Sequence, residues 1–98
     1  MAHRLSPEAE AELDDIWWYI VQSGGSVDVA RRVVAVITER FHLLAAFPHL
    51  GRARDDLRRD LRAFTVGNYM IFYTVEGVDV LILHVVHGRR NKEELLRC

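Results

Sequence analysis

The sequence predicts an α+β fold: a short N-terminal strand, an antiparallel helical hairpin packed on an antiparallel β-meander sheet, and a short C-terminal helix. Three observations predict it. Two runs in the first half carry apolar residues at helical spacing, joined by Gly24-Gly25. Three β-rich runs follow, separated by Gly67-Asn68 and Glu76-Gly77 at hairpin spacing. A chain of 98 residues holds one core, so these elements form a single domain spanning residues 1–98.

"RLSPEAEAELDDIWWYIVQSGG" opens as a short strand and becomes a helix. Ser6 is a good N-cap, Pro7 suits the first helical position, and the acidic residues after it favour the positive end of the helix dipole. Ala9, Leu13, Ile16, Trp17 and Ile20 make one stripe. Trp18 falls off that stripe, near Asp14, Ala11 and Gln22, where it either lies flat on the surface or against the next helix, or anchors a partner. Ser26 or Asp28 caps the second helix, which runs to about Phe47 before Pro48. Ala30, Val33, Val34, Ile37, Phe41 and Leu44 form its main stripe. Val29, Val36, Leu43 and Phe47 widen it enough to serve two neighbours.

"PHLGRARDDLRRD" reads as a loop by its proline, glycine and charges. "LRAFTV", "YMIFYTV" and "VDVLILHVV" are three strands in a meander. Strict alternation on the last sets Leu81, Leu83 and Val85 against Val80, Ile82 and Val86, so both faces need cover. The hairpin covers one face; the other needs "NKEELLRC" or a partner.

No stretch resembles a signal peptide, and no unbroken apolar run is long enough to span a bilayer. The single cysteine, Cys98, allows no internal disulfide. The expectation is a cytoplasmic protein without membrane attachment. A formal net charge of −1 lacks the global signature of sequence-specific nucleic-acid binding by this chain alone. The charges are nevertheless divided. Residues 1–23 hold one arginine against five carboxylates, a balance of −4. Arg52 to Arg62 holds five arginines against three aspartates, and Arg89 to Cys98 four basic residues against two glutamates, each +2.

No metal-ligand spacing, phosphate loop or nucleophile motif is present, so no cofactor is expected. His84 and His87 stand three apart in a strand and point to opposite faces. The carboxylates read as solvated faces. For metal-free RNA cleavage, His87 would serve as acid or base, with Arg62, Arg89 or Arg90 holding the phosphate and Tyr73 assisting. Histidine and arginine at a strand end are more often structural.

"LSPEAEAELDDIWWYI", "FPHLGRARDDLRRDLRAFTVGNYMIFYTV" and "VLILHVVHGRRN" together resemble the ParE toxins of bacterial type II toxin–antitoxin systems, within the ParE/RelE superfamily. The resemblance runs over nearly the whole chain and implies the same helical hairpin on an antiparallel sheet. It also implies a toxin that inhibits DNA gyrase by binding and is neutralised by a ParD-like antitoxin. The related RelE-type enzymes cleave mRNA on the ribosome, and their basic and aromatic site would fall here on Arg62, Tyr73, His87 and Arg89. A decayed toxin that only binds its antitoxin is the third reading. On the binding reading no residue is catalytic. Arg89, Arg90, Arg52 and Arg54 are the expected target-binding residues, and Trp18 the expected antitoxin contact or, failing that, a homodimer contact. The chain departs from the family where Arg59-Asp60 replace a common Pro-Gly pair, Trp18 a common acidic residue, and Asn68 a common arginine.

Overall fold

The computed structural model describes residues 2–88. The elements run β1 (His3–Leu5), α1 (Pro7–Gln22), α2 (Val27–Ala46), β2 (Arg52–Ala53), β3 (Arg62–Val66), β4 (Tyr69–Glu76) and β5 (Asp79–His87). They form one five-stranded sheet in the order β1-β5-β4-β3-β2, with both helices on one face. The expected C-terminal helix, with Arg89 and Arg90, lies outside the described residues.

Both helices start where the sequence signals. The Ser6 hydroxyl accepts from the Ala9 N–H at 3.0 Å, and the Ser26 hydroxyl accepts from the Val29 N–H at 3.1 Å. Each satisfies an N–H that the helix leaves without a carbonyl. Gly24 turns the chain out of α1 with φ at 90°, a backbone region open to glycine at no steric cost. Ala9 and Ile16 of α1, with Ile37, Phe41 and Leu44 of α2, pack on Val66, Ile71, Tyr73, Val80, Ile82 and Val85 of the sheet. The outer part of the α2 stripe does not find the second neighbour expected of it. Val29, Val36 and Phe47 remain exposed.

The central meander β3-β4-β5 is as expected, with two short strands added at its edges. β1 pairs parallel to β5, and β2 pairs antiparallel to β3 inside what reads as a loop. Two paired residues are too few to leave a periodic signal. The second hairpin turn is Gly77-Val78 rather than Glu76-Gly77, because Glu76 pairs with Asp79. In both hairpins the first turn residue is a glycine at positive φ, 57° at Gly67 and 63° at Gly77, as tight two-residue turns demand.

β5 departs from strict alternation. The register slips opposite Phe72 and Tyr73, which pair with His84 and Ile82, so Leu83 is an extra residue. Beyond it every side chain changes face. Val80, Ile82 and Val85 therefore share the helical core, while Leu83 and Val86 join Leu61, Ala63 and Phe72 on the other face. Leu57 and Leu61 lay the arginine-rich loop over that second face, supplying cover within the described residues.

Candidate functional site

Arg62 and Tyr73 are direct cross-strand partners. Tyr73 is fully buried, and its hydroxyl donates to the Pro48 carbonyl at 2.9 Å while accepting from the Gly51 N–H at 2.8 Å. Arg62 donates to the Gly51 carbonyl at 2.7 Å. Together the two side chains fasten the segment between α2 and β2. Gly51 must be a glycine, since a Cβ there would collide with the Tyr73 ring and hydroxyl. Burial raises the Tyr73 phenol above its ordinary range, against a smaller downward pull from the Gly51 N–H and the Arg62 charge. The phenol stays neutral and keeps its donor proton.

His87 does not join this pair. It faces Tyr69, four residues along β4 from Tyr73, or about 13 Å at ~3.3 Å per residue. Its ring meets Tyr69 edge to face with centroids 5.6 Å apart. Arg89, the fourth member of that set, lies outside the described residues. The structure thus brings together Arg62 and Tyr73, in a structural role, and sets His87 apart from them.

The other histidine of "HVVH" is held by a carboxylate. Glu12 of α1 accepts from the Val85 N–H at 3.0 Å, and its second oxygen lies 3.1 Å from His84 Nδ1. Both side chains are nearly buried. Glu12 thereby leaves the solvated acidic face on which composition would put it. β1 stops at Leu5, Ser6 carries the contact on to Leu83, and Glu12 supplies the acceptor that a longer strand would have given. Helical spacing puts Glu12 beside the core stripe, but nothing in one sequence marks its partner 73 residues away.

The arginine-rich loop is the main basic surface of the described residues. Arg52, Arg58 and Arg59 are exposed. Arg54 is different: it makes a two-pronged pair with Asp56, 3.0 Å for each contact, and its backbone N–H donates to Leu61. The hydrogen bond from the Arg54 side chain holds the Asp56 carboxyl below its usual range. Arg54 organises the loop, while Arg58 and Arg59, which are not among the expected target-binding residues, join Arg52 on its surface. Asp60 turns the loop with φ at 61°, the single non-glycine residue at positive φ among those described. Its N–H donates to the Asp55 carboxylate at 2.9 Å.

Two further surfaces are open. Trp18 is 55% exposed and stands edge to face on Trp17 at 5.2 Å. The uncovered flank of α2 forms a groove of about 480 Å³ with the β3-β4 turn, lined by Val29, Val33, Val36 and Val66 with Arg32 and Asn68 at its rim. Among the described residues no group of three or more potential metal-ligating side chains occurs. No described helix is long and apolar enough to cross a membrane.

Comparison with known proteins agrees on one family. Residues 4–92 match the family described as the ParE toxin of the type II toxin-antitoxin system, parDE. Toxin ParE3 of Caulobacter vibrioides is 41% identical over 80 residues, 82% of this chain and 79% of that protein. Toxin ParE1 of the same organism is 38% identical over 91% of each chain. Toxin ParE1 of Mycobacterium tuberculosis is 32% identical over 94% of each. A solved structure described as the chromosomal ParDE TA system from P. aeruginosa superposes with a TM-score of 0.77 at 24% identity, covering 89% of this chain and 95% of that one. It supports the fold.

Proposed function

The chain belongs to the ParE toxin family of type II toxin–antitoxin systems, and from that premise we propose that it inhibits DNA gyrase by binding and is neutralised by a ParD-like antitoxin. The observation that favours binding over chemistry is Tyr73. Its hydroxyl is buried and engaged on both sides, so no substrate oxygen reaches it. The target-facing surface is the basic loop, with Arg52, Arg58 and Arg59 at its exterior and Arg54 as its internal brace. The sequence adds Arg89 and Arg90 to the proposed target-binding residues. The antitoxin covers the apolar surface left bare on the helical side: the α2 groove and the Trp18 flank. An amphipathic segment laid in such a groove is a common recognition mode.

The test is a gyrase supercoiling and cleavage assay with purified toxin. Wild type inhibits. A variant carrying Arg52→Glu, Arg58→Glu and Arg59→Glu, and a second carrying Arg89→Glu and Arg90→Glu, lose inhibition, because like charges across an interface cost several kcal/mol. His87→Gln retains it. Ribosome-dependent mRNA cleavage that vanishes in His87→Gln would replace this reading with the nuclease one. A wild type that binds antitoxin but leaves gyrase untouched would mark a toxin that has lost its activity.

A further inference from the structure

A second opening, of about 460 Å³, lies on the helical face beyond the end of β1, where β5 has no strand neighbour on its outer side among the described residues. Buried Ile16 and Val85 form its floor, the rings of Tyr19 and Tyr69 its walls, and Asp15 and His87 its rim. Glu12 also borders it, but both Glu12 oxygens are committed to Val85 and His84. Asp15 is therefore the carboxylate exposed to an incoming group. Among the described residues no lysine or arginine lines the opening.

We propose that this opening is a socket for one lysine or arginine side chain of the antitoxin, an inference that rests on the toxin–antitoxin reading above. The chemistry of each wall fits that occupant. An aliphatic stem lies along Ile16 and Val85. The charged head passes the faces of two tyrosines, which attract a cation. Asp15 then receives a charge-assisted hydrogen bond. The negative lip repels DNA and acidic protein, and the basic loop proposed to face the target packs on the other face of the sheet. Exposed Tyr19 also adjoins exposed Trp18, so the socket continues the flank already assigned to the antitoxin.

The experiment has two arms. In the first, N-acetyl-arginine methylamide is titrated into the folded toxin and followed by NMR. Saturable shifts are expected at the Tyr19, Tyr69 and Val85 resonances. The neutral citrulline analogue binds about tenfold more weakly, as does the arginine probe to Asp15→Asn, a change worth ~1.4 kcal/mol. Tyr19→Ala gives a second weakened variant, and thermal melts confirm that both variants fold. Absence of saturable shifts in wild type, or equal binding of the citrulline analogue, overturns the proposal. In the second arm, antitoxin affinity is measured for wild type and Asp15→Asn. A loss of about tenfold supports the assignment. An unchanged affinity overturns it while leaving the toxin–antitoxin reading intact. A wild-type chain that binds no antitoxin removes that reading, and the proposed occupant with it.

Discussion

Tyr73 shows how a residue type can suggest chemistry while its surroundings give it another task. A phenol beside an arginine on a sheet reads as part of a phosphate-handling site, yet its depth in the core and its two backbone partners were invisible in the sequence. Tyr73→Phe keeps the ring and strands the buried Gly51 N–H. The expected cost is about 1–3 kcal/mol of stability, read by urea denaturation. A catalytic tyrosine would instead lose activity with stability intact. Asp60 is the converse case. The resemblance noted a glycine-bearing turn where Arg59-Asp60 stand, and Asp60 indeed adopts the left-handed backbone that glycine takes freely. Asp60→Gly relieves a cost of about 1–2 kcal/mol and adds back ~0.5–1 kcal/mol of unfolded-chain freedom. A net gain of about 0.5–1 kcal/mol is expected in the same denaturation assay.

At the scale of elements, what was legible followed from repetition. Both helices, their serine caps and the three long strands each announce themselves through several residues in phase. β2 has only two paired residues, and the β5 bulge is a single insertion that a hydrophobic run such as "VLILHVV" conceals, since either face assignment buries aliphatic side chains. The candidate site was legible in part for the same reason. The arginine-rich loop is a run, whereas Glu12 and His84 are lone residues joined only by the fold. The contact between β1 and α2 makes a testable case. His3 lies on Phe41 and meets His42 edge to face at 4.9 Å. Burial, then the neighbouring His42, lowers the His3 pKa from its ordinary 6.5. The neutral ring is thus favoured in the folded state, and its contribution is complete above pH 6.5. Acidification removes it, first as the unfolded chain protonates near 6.5 and then down to the lowered folded value. Stability measured by denaturation should fall across that window in wild type, and the His3→Asn variant should have a flatter profile.

The whole molecule is electrically divided. The acidic α1 lies on the helical side of the sheet, while the arginine-rich loop packs on the other side. Encounter with a target through the basic side is screened by salt, with a Debye length of about 8 Å at physiological ionic strength. Inhibition of gyrase should therefore weaken as ionic strength rises. An unchanged inhibitory concentration across salt would separate target binding from the charge division. The pairing of β1 with β5 has a different consequence, in time rather than space. His3 meets Val80, and Glu12 meets Val85, so the first elements made by the ribosome wait for the last strand before the edge can close. Contacts this distant in sequence also make for slow folding. Fragments ending before β5 lack both the sheet edge and the partner of Glu12, so expressed fragments should leave growth unaffected.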